Sequence, residues 1–373
     1  MSSLQRHWFQ FTSNTLILLD DPARESFWNK GQALIPFVKG QSYVGFATRS
    51  VASLHINYLR TTSTSGSPTT ALARGSDGSS GSSISKPVDS APGRFISPPS
   101  SISSSNTESP DIIEAYKNLV SATSTFRSMV PCVNDKNWVA CVGFSIAVTV
   151  FQFDTARRAA PHDFKTIVVD TLRALRNAAT IHTQISPQIR SRIAGQTDAL
   201  ESRQKRADIM VQAVTGSPLD EALDSIGGLI RSIMLRQAQA HGYEDNNIDP
   251  QWFTGLEGPS PARLSEDLGS ILQAAVALEK WIMKIVGRPR RWQDIMFWPS
   301  SVSDHFFSLI VARDSAALAV IVHWFAIVDR APRRWYLDGW ALRAAAVVMI
   351  HIGPEWEDLL VWPRRHFGFE REI

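Results

Sequence analysis

Nine histidines are the first place to look for proton chemistry, because an imidazole takes or gives a proton near neutral pH. Two of them, His323 and His351, stand inside apolar runs. Each could serve as a general base. A lone histidine on an apolar face is more often a core residue whose hydrogen bonds are satisfied, and that is the expectation here. Glu355, Glu357 and Asp358 cluster just behind Gly353-Pro354. Neighbouring carboxylates can divide acid and base work, yet a helix start, where negative charge is favoured, explains them more simply. Cys132 and Cys141 are the only thiols. Two cannot build a disulfide framework or fill a binuclear zinc cluster, so both are expected to be reduced and buried. The chain lacks the phosphate cradle Gly-x-x-x-x-Gly-Lys, the hydrolase elbow Gly-x-Ser-x-Gly, His-Glu-x-x-His and Cys-x-x-Cys. No catalytic, cofactor-binding or metal-ligating residue is assigned, no cofactor is expected, and the chain does not read as an enzyme; the alternative is an accessory protein or enzyme of a biosynthetic pathway, with His323 or the Glu355 and Asp358 cluster working on a hydrophobic small molecule.

Two other groups carry binding chemistry. Arg288-Pro289-Arg290-Arg291, Arg330-Ala331-Pro332-Arg333-Arg334 and the trio Arg203, Lys205 and Arg206 are basic knots. They could meet phosphate or act as nuclear-import signals. All are short and flanked by acids or aromatics, which favours solvated loops. Tryptophan is abundant, with 12 residues. Trp292, Trp298, Trp324, Trp335, Trp340, Trp356 and Trp362 sit among apolar segments. An indole offers a large apolar face and one N–H that needs a partner. Such residues line pockets for hydrophobic ligands, but filling a core is the more frequent use.

The elements that must position these groups read as helices throughout. With 373 residues, 44% hydrophobic and 20% charged, the chain is long enough for a sizeable core and unlike a disordered protein on average. A net charge of +3 does not announce a nucleic-acid binder. Residues 1–60 read as folded N-terminal helices, with a start signal at Asp20-Asp21-Pro22. No signal-peptide pattern is seen at the start. Residues 61–109 are dominated by Ser, Thr, Gly and Pro and read as a disordered insertion that cannot offset its ordering entropy. Residues 110–373 read as the main helical region. Ser109-Pro110, Ser186-Pro187 and Ser217-Pro218 are start signals. Ile112, Tyr116, Leu119, Val120, Thr123, Phe126 and Val130 are expected on one buried face. Val139 to Phe153 is the longest apolar run, shorter than the roughly 20 residues of a bilayer span, and reads as a core helix rather than a membrane segment. Later helices are expected over Asp163–Gln184, Ile189–Val214, Ser217–His241, Arg263–Val286, in two pieces over Ser303–Arg330, and over Asp338–Ile352. Tyr243–Pro261 reads as a loop. No strand alternation is present, so the fold class is all-α.

Three pieces of the C-terminal region, in order, carry a resemblance. They are Ala316-Ala317-Leu318-Ala319-Val320-Ile321-Val322-His323-Trp324-Phe325-Ala326, then Arg334-Trp335-Tyr336-Leu337-Asp338-Gly339-Trp340, then Gly353-Pro354-Glu355-Trp356 with Leu360-Val361-Trp362-Pro363. They resemble the late apolar helix, the Trp-Trp-Leu-x-Gly-Trp signature and the closing Trp-Pro stretch of fungal zinc-cluster regulators of the sterol-uptake-control type. Tyr336 stands where the second Trp is usual. His7-Trp8-Phe9, Leu18-Leu19-Asp20-Asp21-Pro22, Phe27-Trp28 and Ala52-Ser53-Leu54-His55 look like the opening of the same regulatory domain. The likeness is weakest between about residues 161 and 261. It implies a nuclear transcription regulator with an all-helical regulatory domain, a hydrophobic small-molecule ligand, and a protein partner or related transcription factor. The six-cysteine finger and its coiled coil are not in this sequence, so no direct DNA binding is expected of it. The resemblance carries over no ligand-binding residue.

Overall fold

The computed structural model describes residues 3–7, 41–65, 109–130, 133–134, 137–184, 218–240, 266–290 and 292–369. Among them there are helices and turns and no strand, so the chain is all-α. The helix expected over 189–214, the Asp20-Asp21-Pro22 start, the loop over 243–261, residues 66–108 of the insertion, Cys132 and the Arg203 knot lie outside the described residues.

A short helix α1 (Ser3–His7) lies against α2 (Ser42–Ser65). The latter runs five residues into the stretch read as insertion, and Thr61, Thr62 and Ser63 return hydroxyl bonds to Tyr58 and Leu59 carbonyls in its last turns. Helix α3 (Pro110–Met129) pairs with α2 in the most extensive helix contact of the molecule. Its buried residues are Ile112, Ala115, Asn118 and Ala122. Of the expected face, Ile112 is buried and Leu119, Phe126 and Val130 pack against the core, but Tyr116 at 36% and Val120 at 67% exposed need correction. The reason is close approach: the two alanines let α2 come near enough for Ser50 Oγ to donate to the Ala115 carbonyl at 2.8 Å. Larger side chains on that face would hold the helices apart.

Helix α4 (Trp138–Arg158) follows, opened by reciprocal bonds between Asn134 and Asn137. A π turn (Lys165–Asp170) leads into α5 (Thr171–Thr183). Next come α6 (Pro218–Ala240), α7 (Glu266–Lys284), α8 (Trp292–Ser301), α9 (Asp304–Ala312), α10 (Ser315–Val328), α11 (Trp340–Met349), a 3-10 turn (Pro354–Leu360) and α12 (Val361–Phe367). Gly287, with φ +68°, ends the segment after α7, as a residue in the left-handed region favours glycine. Helix α8 escaped the sequence reading because Pro299 lies inside it. At its C-terminal end Arg176 donates from Nη1 to the carbonyls of Pro299 and Val302.

Every residue of α10 from Ala316 to Val328 is buried, as befits a helix apolar all round. Helices α6, α7, α9, α11 and α12 and the 3-10 turn all pack on it. Residues Tyr43 to Leu54 of α2 belong to the same hydrophobic core, so the N-terminal segment and the main region share one interior. No single helix among the described residues is long and apolar enough to cross a membrane. Helices α9 and α10 together are, but they meet at 102°. Arg313 in the left-handed region and Asp314, which caps the Ala317 N–H at 2.9 Å, make that corner.

Candidate functional site

The C-terminal elements lean on α6 and leave a cleft of about 370 Å³ between them. Arg236 of α6 holds the 3-10 turn in place. It donates to the Glu355 carbonyl at 2.8 Å and lies 4.2 Å over the Trp356 ring. The turn passes directly into α12, whose Trp362 and Pro363 are buried. Gly368, with φ +70°, closes α12 as its N–H bonds Arg365 and the following N–H bonds Arg364. Glu221, Asp224, Ser225 and Gly228 form one wall of the cleft, and Asp358, Leu359, Val361, Trp362 and Arg365 form the other.

His323 stands directly behind Ser225. The ring is fully buried and stacks on Trp362 at 5.9 Å and 27°. Its Nδ1 lies 2.8 Å from the Ala319 carbonyl and its Nε2 2.9 Å from Ser225 Oγ. A carbonyl only accepts, so Nδ1 carries the proton and Nε2 takes the Ser225 hydroxyl proton. Burial pushes the imidazole down to about 4, so it is neutral near pH 7. Ser225 thus points its proton inward and keeps oxygen lone pairs for the cleft. The rim adds three carboxylates, Glu221, Asp224 and Asp358, against one guanidinium, Arg365. The site therefore offers mainly hydrogen-bond acceptors above an apolar floor of Leu359, Val361 and Trp362. That combination suits a small molecule with an apolar body and a donor group such as a hydroxyl.

The Gly227-Gly228 pair falls in the middle of α6, where each glycine costs about 1 kcal/mol relative to alanine. Sterics do not require either. A Cβ at Gly228 would meet Leu359 Cδ2 at 3.9 Å, and one at Gly227 only a flexible Arg231 nitrogen at 3.5 Å. What the bare position 228 provides is space in the cleft wall. In the sequence the glycine pair reads only as a weak spot in a helix and points to no site. Ser225 carried no signal, because its role depends on a histidine 98 positions away.

The other sequence candidates disperse. Asp358 lines the cleft, whereas Glu357 pairs with Arg364 at 3.2 Å and Glu355 lies on the turn, outside the cleft lining. His351 sits edge-on to Phe164 at 5.6 Å, away from His323. Cys141 is buried in α4. Two basic knots come together, as Arg288 Nε donates to the Arg330 carbonyl at 3.0 Å and Arg330 lies 5.2 Å over Trp362. Tryptophan serves the core. Trp281, Trp298 and Trp340 are buried, and their indole N–H groups reach the carbonyls of Asp294, Ala274 and Ile167 at 2.7, 3.0 and 3.0 Å. Of the tryptophans singled out in the sequence, only Trp362 lines the cleft. Comparison with protein-family models, with curated proteins and with solved structures gives no match.

Proposed function

We propose that this chain is the regulatory domain of a nuclear transcription regulator, without a DNA-reading finger of its own in this sequence, and that it responds to a small apolar molecule in the cleft beside Ser225. The observation that carries the reading is where the resembling segments fall. The closing Trp-Pro stretch supplies Val361 and Trp362 to the cleft, with α6 as the opposite wall, and the late apolar helix backs that wall through the buried His323, which bonds Ser225. A ligand bridging α6 and α12 favours the docked arrangement over an undocked one, which is how binding becomes a change of population. The readout then passes to a protein partner or a related transcription factor. Control of a sterol or metabolite pathway fits the resemblance.

Thermal unfolding with a panel of sterols and other apolar hydroxylated metabolites tests the site. A true ligand at a hundred times its Kd adds about 2.7 kcal/mol of stability. Gly228→Leu fills the cleft and abolishes that shift while the protein stays folded. Deletion of the gene changes a set of transcripts, and an unchanged transcript profile rejects the regulatory reading.

A second reading rests on the 2.9 Å contact between Ser225 and His323. It makes the chain an accessory enzyme acting on a hydrophobic substrate, with the serine as nucleophile and the histidine as base. An imidazole pushed down to about 4 is a weak base, and its Nδ1 is oriented by a carbonyl rather than a carboxylate, so the structural role is preferred. Covalent labelling of Ser225 by a fluorophosphonate, lost in Ser225→Ala, decides for the enzyme.

A further inference from the structure

The acceptors of the cleft beside α6 do not all have the same reason to be there. Ser225 Oγ commits its proton to the buried His323 Nε2 at 2.9 Å, so only its lone pairs face the cleft. Asp224 stands on the same wall and Asp358 on the opposite one. Among the described residues neither carboxylate is held by a hydrogen bond or an ion pair. The other charges of the rim are accounted for locally. Glu221 lies in the first turn of α6, where a helix favours an acid, and its charge also bears on Arg330. Arg365 lies in the last turn of α12, where a helix favours a cation. Asp224 is one turn further along α6 than Glu221, past the turn where the helix end favours an acid.

We propose that the cleft binds a protonated primary amine carried on a compact apolar body. The inference rests on the reading of the cleft as the ligand site and names the class of molecule it takes. An ammonium group carries three N–H donors and no acceptor, and it meets Asp224, Asp358 and the acceptor-only Ser225 around one opening. A hydroxyl carries a single donor and leaves the two carboxylates unmatched. A ketone brings no donor, and Ser225 has no proton to offer it. A carboxylate faces like charge on both walls. An alkyl ammonium keeps its proton near neutral pH, as a lysine with a pKa of about 10.4 does. The apolar body rests on Leu359, Val361 and Trp362, and the bare Gly228 leaves room for it. Bonds from an ionised donor to carboxylates are stronger than neutral ones, so the amine ties α6 to the 3-10 turn more firmly than an alcohol of the same shape.

Four probes on one skeleton test it: adamantylamine, adamantanol, adamantanone and adamantanecarboxylate, each titrated calorimetrically into the full chain. The amine binds at least about tenfold tighter than the alcohol, and the ketone and the carboxylate bind more weakly still. Added salt weakens the amine and leaves the alcohol unchanged. Asp224→Asn and Asp358→Asn each weaken the amine at least about threefold and spare the alcohol, with the melting temperature unchanged because both side chains are exposed. An alcohol that binds as tightly as the amine overturns the inference and leaves the cleft as a site for uncharged ligands. An amine affinity that both Asn variants leave intact overturns it as well, and so does tighter binding of the carboxylate, which would assign the selection to Arg365. If none of the four binds, the inference fails, and the sterol panel decides separately whether the cleft is a ligand site.

Discussion

At the scale of single residues, two buried imidazoles set the response to acid. His323 and His55 are each pushed down to about 4, chiefly by burial. His55 also lies 3.3 Å from His7 and stacks on Trp335 at 5.1 Å. In the unfolded chain both return to the ordinary imidazole value of 6.5. Below that value the unfolded state binds more protons than the folded one, so stability is complete above pH 6.5 and falls as pH drops toward 4. The melting temperature measured across this window should decline, and His323→Gln should flatten the decline. Tyr336 makes a different point. Its ring stacks on Trp292 at 5.4 Å and 9°, but its hydroxyl is buried without a partner. An unsatisfied hydroxyl is a cost, so Tyr336→Phe should leave stability unchanged or raise it by about 1 kcal/mol in chemical unfolding. The sequence anticipates a core role for His323, but in it Tyr336 looks only like a substitute for tryptophan and His55 enters only through the Ala52-Ser53-Leu54-His55 resemblance.

At the scale of elements, the corner between α9 and α10 decides how the most apolar helix enters the core. The Ser303 hydroxyl caps α9 through the Phe306 N–H at 3.0 Å, and Asp314 caps α10 through the Ala317 N–H. Ser and Asp in those places are ordinary start signals, so two helices were legible over 303–330. Asp314→Ala should cost about 1 kcal/mol, read as a lower midpoint in denaturant with an unchanged slope. The face of α3 was read wrongly at Tyr116 and Val120 for a reason that belongs to the same scale. Periodicity weights large apolar residues, and here a buried face built on Ala115 and Ala122 won because it permits close helix approach. The cleft is also a property of elements in combination. Gly227-Gly228 lies on α6, but only the neighbouring 3-10 turn and α12 turn that bare stretch into a wall.

At the scale of the whole molecule, α10 is the common contact. It packs on six other elements, while the Tyr43–Leu54 part of α2 joins the same core through α4. A single shared interior couples the N-terminal helices to the main region, and one cooperative transition is the expected outcome. Leu54→Ala in α2 and Ile321→Ala in α10 should therefore each lower one common transition, by about 2–5 kcal/mol, followed by both near- and far-ultraviolet circular dichroism. A separate early transition for α2 would show that the N-terminal helices form an independent body.

The sequence by itself determined the all-helical class, most described helices from Ser109-Pro110 onward, and that Val139 to Phe153 and Ala316 to Val328 are strongly apolar runs, while the structure gives the central place to the second. These depend on local properties: capping residues, proline and glycine punctuation, and a run too apolar to lie at a surface. Only the tertiary structure decided which face of α3 is buried, that Ser225 meets His323, that Asp358 rather than Glu355 reaches the cleft, and that two distant arginine knots adjoin. Each of those depends on how closely two elements approach. Close approach is set by the sizes of side chains on both partners at once, and a single chain read in order does not reveal its partner.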